Sequence, residues 1–372
     1  MGTQSSLFSE FDPTTKQEWI DKVIADLKGA DFEKVMAWQT EEGFSVDAMY
    51  MESDKEAIQW VQQFENELFN PEKAHIQNQY WQNCPIIEIP SNKEAQKHGL
   101  EALQSGAEAL LFQLENTPDF NVLLEEILLP YCGIYFSGNI NLETLKKYFE
   151  YAAAKGYDFS KLEGGFQGAL QANVLVEAIQ ITSKSQEFKV VGIEAKGNTI
   201  SERISAVISA VSDTIENLEK EGITPQQVFE NLYVKMPISS NYFLEIAGLR
   251  ALRILLSQLA SLYEVEMLAY QFTIHAFTTL EEGEEDTYQF MLSNTIQAMS
   301  AIIGGANVLT VLPHTFKTEK NSRFALRIAR NVSTILKEES YLDKVADPSA
   351  GSYYIDTLTA KLAEKAWEIF QQ

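Results

Sequence analysis

The sequence predicts an α/β fold: a (β/α)8 barrel preceded by an extended N-terminal arm that carries a helix. Three observations predict it. From about residue 84, eight short apolar runs alternate with helical patterns, and such alternation makes a parallel sheet covered on both faces. The runs are too apolar to face water, which favours closure into a barrel over an open sheet. Residues 1–80 lack the alternation and are rich in Glu, Gln, Trp and Phe. The division expected is an arm over 1–80, wrapping its own barrel or a partner, and a barrel over 81–372.

In the arm, Trp19, Val23, Ile24 and Leu27 share one face of a helix over Lys16–Leu27. Trp38, Phe44, Val46, Met49 and Tyr50 follow on an extended, poorly periodic segment. The strands are expected at Ile86–Ile89, Ala107–Phe112, Gly133–Phe136, Leu162–Gln167, Phe188–Ile193, Leu232–Met236, Leu268–Ala276 and Ala306–Leu312. The clearest helix runs from Ile200 to Leu218, with Ile204, Val207, Ile208, Val211 and Ile215 on one face. Others are expected over Lys93–Gln104, Leu142–Ala154, Asn241–Tyr263 and Thr287–Ile302, the last stopped by Gly304-Gly305 as a C-cap. Near the end, Phe324, Ile328, Val332 and Ile335 form a stripe expected to be buried. Pro348 and Gly351 break the chain, and Thr357 or Thr359 is expected to cap the final helix.

A formal net charge of −24 excludes nucleic acid and an anionic membrane surface as partners, since both are recognised by clustered Lys and Arg. Cys84 and Cys132 form no CxxC and no Cys/His cluster, so reduced, buried thiols are expected and no metal. The start, MGTQSSLFSEFDP, has neither a basic n-region nor an apolar h-region, and no run of eighteen apolar residues occurs. The expected compartment is the cytoplasm.

No catalytic set assembles from spacing alone. Of the four histidines, His275 and His314 follow strands seven and eight at the end where barrel chemistry sits, while His75 and His98 are expected in solvent. The glycines of Gly164-Gly165-Phe166-Gln167-Gly168 admit the close approach of another backbone or a flat ligand, without dinucleotide-loop spacing. Arg250 and Arg253 are open to two uses, meeting a phosphate or a carboxylate of a ligand or forming surface ion pairs, and Glu281, Glu282, Glu284, Glu285 and Asp286 make a solvated loop.

The string RIARNVSTILKEESYLDKVADPSAGSYYIDTLTAKLAEKAW resembles the end of the barrel in methylmalonyl-CoA mutases. NTIQAMSAIIGGANVLTVLPHT and ISSNYFLEIAGLRALRILLSQL are similar to two further family segments, and EFDPTTKQEWIDKVIADLKGADFEKVMAWQTEEGFSVDAMY resembles the arm of the family's small subunit. The resemblance implies an isomerase that interconverts (R)-methylmalonyl-CoA and succinyl-CoA with adenosylcobalamin, and Arg250 and Arg253 as CoA contacts. It also marks three departures. The stretch Val191–Asn198 holds no Tyr-His pair, Glu177 stands where the family has a substrate-gripping Arg ten residues after Gln167, and Phe277 replaces a Gln two residues after His275.

The resemblance therefore implies a non-catalytic small subunit that pairs with a large catalytic one, with Gln167 and His275 left from a vestigial substrate pocket. The family's cobalamin-binding domain is absent from the sequence, which suggests a piece of a longer subunit, and this piece alone is expected to bind no cobalamin. Isolated, it is expected to form a homodimer through its orphaned partner face. The alternatives are a CoA-ester-binding regulatory barrel and a mutase of altered specificity.

Overall fold

Parallel pairing orders the chain. A computed structural model describes residues 14–68, 80–168, 170–267, 269–280, 286–315 and 322–372. Strand one is split by Pro85 into Gln82–Asn83 and Ile86–Glu88, and strand five into Phe188–Lys189 and Val191–Glu194. Strands two, three and four are Ala109–Leu114, Gly133–Gly138 and Gly164–Phe166. Strands six, seven and eight are Leu232–Ile238, Thr273–Thr278 and Val308–Thr310.

The pairings run 1-2-3-4-5 through one five-stranded sheet and 5-6-7-8-1 through the other, all parallel. Strand eight pairs with the first half of strand one, and strand two with its second half, so neighbours follow one another round a full circle. The sheets part at these two splits, where each half-strand turns to a different neighbour; in strand one the break falls at Pro85, which has no N–H to give.

The fold class and all eight strands agree with the sequence reading, with shifts at the edges. The seventh was expected from Leu268, which lies outside the described residues; Ala269–Gln271 forms a 3-10 turn and the strand begins at Thr273. Helices over Phe32–Met36, Gln59–Leu68 and Ala172–Thr182 and a small hairpin, Trp38–Gln39 with Ser45–Val46, add to the elements expected.

Two expectations near the C-terminus are corrected. The helix Arg323–Glu338 buries Ala325, Ala329, Ser333 and Leu336, while Phe324 and Ile335 of the expected stripe are exposed. The space beneath is filled by Trp81, fully buried, whose indole N–H donates to Ser333 Oγ at 2.9 Å. A large side chain on the barrel wall leaves room only for small residues above it. The last helix, Tyr353–Phe370, is capped by Ser352, which accepts from Ile355 N; Thr357 and Thr359 lie inside the helix.

The described part of the arm packs on the barrel's own helices. Ile58 and Val61 join Ile254 and Ala360 in one apolar cluster, Tyr50 meets Tyr354, and Lys361 Nζ donates to Ser45 O at 2.7 Å. The helix Lys16–Asp26 carries a capping box between Thr15 and Glu18 and buries no residue fully. Among the described residues, no helix is long and apolar enough to cross a membrane.

Candidate functional site

Side chains alternate along each strand, and the odd-numbered positions of strands two, three, six and seven point to the barrel axis. Ala109, Leu111, Tyr135, Tyr233 and Phe277 converge there with Cys84 and Val308 as a separate interior cluster. Tyr135 and Tyr233 lie 5.7 Å apart by ring centroid, and both meet the His275 ring edge-on. Phe277 stacks on His275 at 4.2 Å. The axis is filled by side chains.

His275 is locked inside this plug. Thr310 Oγ1 donates to Cys84 O at 2.6 Å, so it accepts from His275 Nε2–H at 2.7 Å. His275 Nδ1 is then the acceptor for the Tyr233 hydroxyl. Burial, with nearby Lys235, pushes the imidazole pKa well below its ordinary value, and burial raises that of Tyr233. A neutral ring with both nitrogens engaged is no proton shuttle. Replacing Thr310 by Val should strand the His275 N–H and the Cys84 carbonyl and cost about 2 kcal/mol. Urea unfolding of the variant measures this.

Above the plug, at the C-terminal mouth, lies a cavity of about 390 Å³. Its polar lining is Gln113, Ser137, Gln167, Glu194, Lys235, Thr278 and Thr279. Lys235 Nζ pairs with Glu194 at 2.6 Å and sits 5.4 Å from the Phe277 ring. Gln167 is nearly buried, and its amide nitrogen has no hydrogen bond of normal geometry. This set can hold a small polar molecule, and among the described residues its one carboxylate and one ammonium, Glu194 and Lys235, are paired with each other.

The structure thus brings Gln167 and His275 to one end of the barrel but separates their roles: one lines the mouth, the other supports the plug. The glycines before Gln167 serve the sheet. A Cβ on Gly164 would strike the Ile134 carbonyl, and one on Gly165 the Lys189 carbonyl at 2.6 Å. The sequence reading missed Tyr233, Lys235, Glu194 and Thr310, which lie on other strands and join the site only through the register of the sheet.

Arg250 and Arg253, the expected CoA contacts, are corrected to internal staples. Both are buried. Arg253 donates to Phe272 O, Gly305 O and Asn307 Oδ1 below strands seven and eight, and burial brings its pKa down to about 10. Arg250 meets Asp347, Ser349 and Asp356. Of the other histidines, His98 is exposed on the helix Asn92–Leu103, His314 lies edge-on to Phe324, and His75 is outside the described residues, as are Glu281–Glu285. Both cysteines are free and buried, and burial raises their thiol pKa values, Cys132 to about 12.

Residues 190–372 match the family model described as methylmalonyl-CoA mutase. The methylmalonyl-CoA mutase small subunit of Porphyromonas gingivalis is 30% identical over 99% of this chain and 64% of its own length. The chain is similar to methylmalonyl-CoA mutases, and to this small subunit along nearly its whole length. The small subunit from Propionibacterium freudenreichii subsp. shermanii is 26% identical over 100% of this chain and 63% of its own. The chain spans somewhat under two thirds of the length of these relatives. Among solved structures, a dihydropteroate synthase from Stenotrophomonas maltophilia is 13% identical with a TM-score of 0.41, over 70% of this chain and 94% of that one.

The similarity to these mutases implies adenosylcobalamin, and the described mouth residues of this chain do not fit it. The axis beneath them is filled, among the described residues the mouth lining holds neither imidazole nor thiolate, and His275 has both nitrogens engaged under Phe277.

Proposed function

We propose that this chain is the barrel portion of a non-catalytic small subunit of a cytoplasmic, adenosylcobalamin-dependent methylmalonyl-CoA mutase. The large partner subunit then carries out the isomerisation of (R)-methylmalonyl-CoA and succinyl-CoA. The observation that carries this reading is the plugged axis. Tyr135, Tyr233, His275 and Phe277 occupy the line along which a long substrate would thread, and the hydrogen bonds of His275 hold the plug in place. Residues 1–80 act as an arm and 81–372 as the barrel that supports the partner. Gln167 and His275 are remnants of a substrate pocket, and the isolated chain binds no cobalamin and pairs with itself.

The test is assembly with the large subunit followed by turnover measurements on Gln167→Ala. The scaffold reading expects unchanged assembly and a kcat within about threefold of wild type; a loss of tenfold or more, about 1.4 kcal/mol of transition-state stabilisation, overturns it. The Gln167 amide nitrogen, without a hydrogen bond of normal geometry, supports a second reading, a regulatory barrel that binds a CoA ester at its mouth. Saturable binding of succinyl-CoA to the isolated chain, lost in Gln167→Ala, would favour that instead.

A further inference from the structure

The chain has six arginines, and they divide into two groups. Arg203, Arg250 and Arg253 are buried. The other three, Arg323, Arg327 and Arg330, sit on the helix Arg323–Glu338 and line one groove of about 560 Å³ against the helix Asn92–Leu103. In a protein of net charge −24, the guanidinium groups outside the interior are thus gathered at one place.

The groove is only partly neutralised from within. Glu88 and Glu101 line it, and Glu101 pairs with Arg323. Among the described residues, neither Arg327 nor Arg330 has a carboxylate within ion-pair distance. Arg330 is held by the Ser105 carbonyl at 3.1 Å, and Arg327 rests 5.6 Å from the Phe324 ring. Burial lowers the pKa of Arg330, the Glu101 carboxylate opposes that fall, and the neighbouring Arg327 adds to it. Phe324 is exposed, and His98 lines the groove beside it.

Clustered guanidinium groups beside an exposed aromatic ring match a ligand with an anionic group and a flat body. A phosphate takes the fork-like N–H donors in pairs, and an apolar or aromatic ring lies against the side chain that orients them. The volume is that of a small-molecule site. We infer that the groove between the first and last barrel helices binds a phosphorylated small molecule of nucleotide type, with its phosphate on Arg327 and Arg330 and its ring against Phe324.

The test is calorimetric titration of the intact chain with ADP, and with adenosine as the uncharged probe. Saturable ADP binding is expected, weakened about tenfold or more in Arg327→Gln, restored in part by Arg327→Lys, and unchanged by Lys220→Gln on another face. Adenosine should bind at least tenfold more weakly than ADP. The inference falls if ADP does not saturate below about 1 mM, or if Arg327→Gln binds it as the wild type does. It also falls if poly-glutamate binds in place of ADP with the same dependence on Arg327, which would make the groove a protein contact.

Discussion

Replacing Arg250 by Met should destabilise the fold by about 3–5 kcal/mol, the range for removing one partner of a buried charge cluster. Arg250 lies on the helix Tyr242–Leu262, and its guanidinium reaches Asp347, Ser349 Oγ at 2.8 Å and Asp356 Oδ1 at 3.4 Å. Asp347 accepts in turn from Ser349 N at 3.1 Å and Ser349 Oγ at 2.8 Å, so the DPSAGSYY turn is folded round this one cation. Met fills a similar volume without the charge and leaves two carboxylates unbalanced. Asp356 is fully buried, and its pKa is raised by burial, with Arg250 opposing that rise. A carboxyl with a raised folded-state pKa favours the fold while protonated and loses that contribution as pH rises through its folded value. Without Arg250 the rise is larger, so the defect of Arg250→Met should be greatest near neutral pH and shrink on acidification. Urea unfolding of both proteins across that range measures it. A loss below about 1 kcal/mol at neutral pH would show that water reaches the carboxylates and that Arg250 does not organise the turn.

Periodicity made the barrel legible because strands covered on both faces must be short and apolar, and that pattern survives in any such barrel. It did not make the inward face of Arg323–Glu338 legible. The apolar stripe on that helix is real, but the barrel surface beneath carries Trp81, and packing volume chose the Ala325–Ala329–Ser333 side instead. Cap choice failed for a related reason. Thr357 and Thr359 have the right chemistry, yet Ser352 stands where the chain leaves the turn anchored by Arg250. The candidate site was legible only at single residues. His275 was found from its place at a strand end and Gln167 from the family resemblance, whereas the partners that decide what His275 can do, Tyr233 and Thr310, lie forty-two and thirty-five positions away and meet it only by register. Arg250 and Arg253 show the opposite error, in which residue types suited to a ligand are used by the chain itself.

Whether the arm belongs to its own barrel turns on Glu42, and Glu42→Ala should cost about 3 kcal/mol, from three lost hydrogen bonds to a charged acceptor. Glu42 lies in the turn between Trp38–Gln39 and Ser45–Val46 and is buried. Its carboxylate accepts from Ile200 N at 2.7 Å, Ser201 N at 2.9 Å and Ser201 Oγ at 2.6 Å, at the start of the helix Ile200–Glu219. The capping box of Thr199 and Glu202 satisfies other donors of the same turn, so Glu42 takes N–H groups that nothing else reaches. A carboxylate there also opposes the positive end of the helix dipole. Access for water is narrow, because the helix Tyr242–Leu262 approaches so closely that a Cβ on Gly248 would meet Ile200 Cγ2 at 2.5 Å. Glu42→Gln keeps one acceptor oxygen and the shape, and should cost about 1 kcal/mol. Stability by urea unfolding, with hydrogen exchange at Ile200 and Ser201, separates the two contributions: both variants should speed exchange at these amides, Ala more than Gln. An arm that folds only against a partner would instead leave stability and exchange unchanged in the isolated chain, and Glu42 would matter only after the partner is added.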